Sequence, residues 1–206
     1  MRADTNGRGR TPTRATTIIR TGLIAGAIAG MMMAMWQMVV GLIADEPTAV
    51  EGINSSFWTA VTSIPSVIFG LDWFHQDFAF WPVVLGIGGH MVNSMMLGVI
   101  GVALLAAVLG ARPSLPAAIM QATVFGLVLE VVILNLIVNS IQDVNTAYTS
   151  TPEWSWWASH AIFGMTLGLV AALLLRRAAP AGGATGPRRV EPRPAARAGE
   201  PLSGPR

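Results

Sequence analysis

Cysteine is missing from the 206 residues, and so is lysine, which leaves arginine as every one of the 13 basic residues. Without a thiol, a disulfide framework, a thiol redox relay and thiolate metal ligation are excluded. Charge of either sign is scarce, at 12% of residues against 52% hydrophobic, a balance too apolar for a soluble surface. Between Arg20 and Arg176 the only basic residue is Arg112. The basic balance therefore comes from Arg-rich ends rather than from a nucleic-acid-binding domain, and it fits an anionic bilayer surface.

What the chain does have is long apolar runs. Four reach the roughly 20 residues that a hydrocarbon core requires. They predict transmembrane helices over about 21–44, 82–111, 117–141 and 156–175. The fold class expected is all-α: a polytopic membrane protein, a bundle of four transmembrane helices occupying 17–177. Residues 1–16 and 178–206, rich in Arg, Pro, Gly and Ala, cannot bury enough to fold and are expected to be disordered tails. A cleaved signal peptide fits the first span poorly, because its apolar run is longer than the usual core of a leader and no clean small-residue cleavage site follows.

Arginine also orients the spans. It occurs in both tails and in the link "ARPSLP", but not in loop 45–81 or loop 142–155, which carry Asp45, Glu46, Glu51, Asp72, Asp77, Asp143 and Glu153 instead. The positive-inside bias then puts both termini in the cytoplasm of an inner-membrane protein. Trp73, Trp81, Trp154, Trp156 and Trp157 fall near the outer boundary, as an interfacial belt requires. In the outer loop, "GINSSFWTAVTSIPSVIFGLDWF" alternates small polar and bulky apolar residues. It predicts an interfacial or re-entrant segment, with Asn54 or Ser55 capping a short helix.

Two stretches repeat one plan. His90, Ser94, Gly98 and Gly101 in the second span are matched by His160, Gly164, Gly168 and Ala171 in the fourth, with identical spacing. At 100° per residue these offsets lie within about 80° of one helix face. Both spans run from outside to inside, so the repeat suggests two tandem helical hairpins. Below each histidine lies a stripe of small residues, and the first span has its own in Gly22, Gly26 and Gly30. Such spacing lets transmembrane backbones approach closely, so these positions are expected to be packing seams.

The histidines ask for more. An ionisable residue inside a span is a candidate functional site with an expected partner. At about 1.5 Å per residue, His160 lies about 24 Å from Arg176 and His90 about 33 Å from Arg112, both in the outer part of the bilayer. Each is either a neutral imidazole bonded to a neighbouring helix, or one of a pair sharing a ligand, a proton or a metal. Asn93 and Gln37 lie in outer halves of spans. Gln121, Asn135, Asn139 and Gln142 share a face of the third span. Glu130 stands near mid-membrane, about 140° around an α-helix from Asn135. An unpaired carboxyl there is expected to hold its proton, because desolvation disfavours the charged form. Its two readings are an interhelical hydrogen bond and a proton or cation relay.

Metal and cofactor signals are sparse. The run "MMMAMWQM" invites a Cu(I) reading through soft thioethers, although adaptable packing accounts for such methionines more often. Two histidines on parallel helices could supply axial haem ligands, but their depths differ and no c-type haem motif is present. His75 between Asp72 and Asp77 could meet an outside cation or simply be solvated. No nucleophile–base pair, P-loop or dinucleotide fingerprint is visible.

The Arg-flanked glycine-rich first span, "IPSVIFGLDWF" in the outer loop, "GH" opening the second span, a histidine opening the last and an Arg-rich tail form a recognisable plan. Over about residues 18–177 it resembles the small YagU-like bacterial inner-membrane proteins, a family of uncharacterised function. The resemblance implies four helices and an inner-membrane location, and it supplies no catalytic residue.

Three functions remain open on these residues. The first is a non-enzymatic inner-membrane protein with a polar site near its outer face, acting as a homo-oligomer or with a membrane-protein partner. The second is a haem- or copper-binding electron-transfer or assembly protein using His90 and His160. The third is a proton- or cation-coupled permease with Glu130 as the relay.

Overall fold

The computed structural model describes residues 14–178. Four of its helices are long and apolar enough to cross a membrane: α1 (Arg14–Ala44), α3 (Phe80–Leu109), α4 (Leu115–Ile141) and α6 (Glu153–Ala178). Two short helices, α2 (Thr59–Phe69) and α5 (Thr146–Ser150), lie in the two longer connections. No strand occurs among the described residues, only an isolated bridge between Pro47 and Asn54. The chain is an all-α, multi-pass membrane protein built as a four-helix bundle.

Local chemistry sets the helix ends. The second span stops two residues short of the expected Ala111, because Gly110 turns the backbone to φ 78° and its N–H caps the carbonyl of Ala106. Pro116 falls in the first turn of α4, where the missing N–H costs nothing. Expected as tail, Arg14–Thr16 instead begin α1, and the Arg14 guanidinium donates to the carbonyl of Ala106 at 3.4 Å. At the other chain end the helix continues to Ala178, past Arg176, whose Nε and Nη2 both donate to the carbonyl of Pro113. The expected tails over 1–13 and 179–206 lie outside the described residues.

The helices pair as the repeat suggests. α1 packs along α3, α4 packs along α6, and α1 and α6 meet in the middle. In the first pair, a Cβ added at Gly98 would meet the Gly22 carbonyl and, at 2.6 Å, the Gly26 Cα. In the second, one added at Gly168 would lie 2.8 Å from the Ile119 Cα, and one at Gly164 would lie 2.6 Å from the Thr123 Cα. Small residues are therefore required where backbones touch. Gly101 differs from its neighbours in the stripe: it faces the Leu167 and Phe125 side chains, away from the α1 seam. The core beneath the seams holds Val102, Leu105, Phe163, Leu167 and Ala171.

Pseudo-symmetry extends to the partner helices. Gly22, Gly26 and Gly30 of α1 face the α3 stripe as Ala118, Ala122 and Gly126 of α4 face the α6 stripe. Symmetry would also give α3 and α4 a seam like that of α1 and α6, yet α3 and α4 touch far less. The short helix α2 packs on α3, α5 and α1.

The α2 segment turns its polar residues inward. Thr59, Thr62, Ser63 and Ser66 are buried while Ile68 and Phe69 are exposed, the reverse of a helix floating on water. Its cap is not Asn54 or Ser55. The Ser56 hydroxyl accepts from the backbone N–H of Thr59, and the Thr59 hydroxyl accepts from that of Ser56, a reciprocal box with a hydroxyl in the usual carboxylate position. Pro65 cannot bond the carbonyl four residues back. That carbonyl, on Val61, sits where a Gly86 Cβ would be, which allows α2 to lie directly on α3. Of the aromatic belt, Trp81, Trp154 and Trp157 are exposed, but Trp156 turns into the bundle at 6% exposure.

Candidate functional site

Sequence position alone separates Glu130 from its partners; the backbone of α4 reunites them. From Glu130 to Val138 this helix is π-helical. Bonds closing i to i+5 place the fifth residue on almost above the first, instead of 140° around. Asn135 therefore comes to the same side as Glu130, which corrects the α-helical expectation. One phenol bonds both: Tyr148 donates to Glu130 Oε1 at 2.7 Å and accepts from Asn135 Nδ2 at 2.6 Å. Gln142, expected on the face of Asn135, lies past the end of α4, where its Nε2 donates to the carbonyl of Ser66.

Tyr148 is held by α5. Asn145 caps that helix, accepting from the Tyr148 backbone N–H, and donates through Nδ2 to the Leu134 carbonyl and to Asn139 Oδ1. Asn139 thus reaches the site only through Asn145; its own side chain is exposed. Burial, and then the adjoining Glu130 carboxylate, push the Tyr148 phenol well above its ordinary pKa, so it serves as a fixed donor.

The second oxygen of Glu130 faces His160. Oε2 lies 2.5 Å from His160 Nδ1, with Glu130 fully buried. Nδ1 is also 3.0 Å from the carbonyl of Trp156, one turn earlier in α6. The Trp156 carbonyl can only accept, so Nδ1 carries the hydrogen of that bond, and Glu130 Oε2 stays in contact with it without a hydrogen bond of its own. The other ring nitrogen, Nε2, has no hydrogen bond among the described residues. Where the sequence left Glu130 apart, the fold makes it half of a buried pair.

His90, the repeat counterpart, makes a different bond. Its Nε2 lies 2.9 Å from the carbonyl of Gly30 and 3.5 Å from Ser94 Oγ. Bonding a carbonyl requires Nε2–H, so the Nδ1 of a neutral ring is a bare acceptor. The asymmetry has a simple origin: four residues beyond Gly126 stands Glu130, whereas four beyond Gly30 stands Ala34.

Both histidines line one cavity of about 460 Å³. Its wall is almost wholly apolar, with contributions from Met33, Leu129, Ile133, Trp156 and Phe163. Met31, Met35, Ile68, Ile87 and Ile137 line it and are exposed, so it opens on the side of the bundle through an apolar rim. Asn93 also lines it and is exposed. On the α1 side Gln37 is buried, donating to Ser159 and accepting from Thr151 and Ser155. That hub fixes the residue next to His160.

Sequence reasoning missed Tyr148, although it is the only tyrosine in the chain. Among the described residues no group of three or more His, Asp or Glu gathers as a metal site, and His75 holds its loop through backbone bonds to Thr62. Comparison with protein-family models, curated proteins and solved structures gives no match.

Proposed function

We propose that this chain is a non-enzymatic, proton-coupled permease of the bacterial inner membrane, with both termini cytoplasmic and the α2–α5 cap outside. The observation that supports it is the Glu130–His160 contact of 2.5 Å inside the bundle, beside a cavity lined by both histidines. Tyr148 donates to Glu130 Oε1, and Oε2, which has no hydrogen bond of its own, lies against His160 Nδ1. A lone charge in that setting is costly, so the pair keeps one shared proton that makes it neutral overall, and His160 Nε2 is its ring nitrogen without a hydrogen bond among the described residues. The arginine pattern supports the orientation, and the resemblance to YagU-like proteins supports the membrane assigned.

Reconstitution tests it. Liposomes holding the protein should show proton flux under an imposed pH gradient, and Glu130→Gln should abolish it while the protein remains folded and monodisperse. Flux unchanged in Glu130→Gln would remove the relay.

A further inference from the structure

We infer that the cavity takes a lipophilic ammonium ion, which exchanges with the proton at His160. This rests on the proton-coupled reading and names its substrate class.

Charge balance carries the argument. The Glu130 carboxylate is fully buried and Tyr148, its other partner, is uncharged, so its one counter-charge is the proton on His160. When that proton leaves, a net negative charge remains inside the bundle, and only an incoming cation restores neutrality. Glu130 itself does not line the cavity; His160 does. The cation must therefore be read through imidazole, and deprotonated Nε2 offers a lone pair. His90 offers a second, because its Nε2–H is committed to the Gly30 carbonyl. Two acceptor nitrogens match an N–H-bearing ammonium ion with more than one donor.

The wall specifies the rest of the ligand. An apolar cavity of about 460 Å³ suits a small molecule with a hydrocarbon body and a single polar head. Trp156 and Phe163 add aromatic surface beside His160, which a cation favours over a neutral head group. The rim through Ile87 and Ile137 is apolar and lies within the spans, so entry is from the bilayer side. The titratable groups that face His160 are Glu130 of α4, Tyr148 of α5 and His90 of α3; α1 brings only the uncharged Gln37.

The exchange is balanced. Nε2–H leaves as a proton to the aqueous phase, the ammonium N–H donates to the freed Nε2, and the net charge inside is unchanged.

The test uses the full chain in lipid nanodiscs, with empty nanodiscs as reference, titrated with n-octylammonium and with 1-octanol by calorimetry. Saturable octylammonium binding is expected, with release of one proton and affinity at least about tenfold above that of the alcohol. Affinity should rise with pH, by at most about tenfold per unit for one competing proton, until the amine itself deprotonates. Octyltrimethylammonium, which has no N–H, should bind more weakly than octylammonium. Equal binding of alcohol and ammonium, binding without proton release, or no saturable binding would overturn the proposal. These probe comparisons use unaltered protein, so they do not depend on any variant folding. Octylammonium binding with proton release but without proton flux would overturn the permease reading and leave the ligand class standing; flux without binding would do the reverse.

Discussion

Glu130 and Asn135 are joined through a single phenol, five residues apart in sequence yet on one side of a π-helical turn. Tyr148→Phe removes both bonds at once and leaves Glu130 Oε1 without its donor. A loss of about 1–3 kcal/mol is expected for an orphaned buried acceptor. Thermal unfolding in detergent, Tyr148→Phe against wild type, reads it; equal melting would mean the phenol adds nothing.

The two histidines should respond differently to the same change. His160→Gln leaves a buried carboxylate without its counter-charge, a cost of roughly 3–5 kcal/mol when one member of such a pair is removed. His90→Gln replaces a neutral donor to the Gly30 carbonyl with another and should cost far less. The double variant Glu130→Gln with His160→Gln should recover part of the loss, since no buried charge remains. A double-mutant cycle on unfolding free energies decides it; additive losses would show that Glu130 and His160 do not interact.

Glycine substitutions separate seam from surface. Gly98→Ala and Gly168→Ala drive a Cβ into the backbone of the facing helix, whereas at Gly88 an added Cβ meets nothing within 4 Å. The first two should lower the melting temperature and the yield of folded protein, and Gly88→Ala should match wild type. Tolerance at Gly98 equal to that at Gly88 would mean the α1–α3 seam is looser than described.

Orientation has a direct reporter test. Fusions after residues 60, 113, 148 and 190 should read outside, inside, outside and inside. Inside signals at both 60 and 148 would overturn the assignment.

Much of this was legible in the sequence because it depends on composition along a span. Apolar length marks four crossings, and small residues at spacing four mark the faces on which Gly98 meets α1 and Gly168 meets α4. The repeat put His90 and His160 at corresponding positions of two spans, and both line one cavity. What stayed hidden depends on geometry that residue type does not encode. An apolar run such as "EVVILNLIV" gives no sign that its turns widen, so α-helical angles put Asn135 on the wrong side of Glu130. Tyr148 lies in a short polar connection, where proximity to α4 depends on Asn145 capping α5. Trp156 looked like part of an interfacial belt because tryptophans were counted by position along the chain, not by the side of the helix they occupy.

The central claim is that Glu130 and His160 hold one exchangeable proton. With only three histidines in the chain, nitrogen-15 labelled imidazoles can be followed individually by solid-state NMR in lipid. In a His75→Gln, His90→Gln background only His160 remains. Its Nδ1 should carry hydrogen, and Glu130→Gln should change the proton occupancy of Nε2. A ring without hydrogen on Nδ1, or a proton occupancy that ignores Glu130→Gln, would contradict the account.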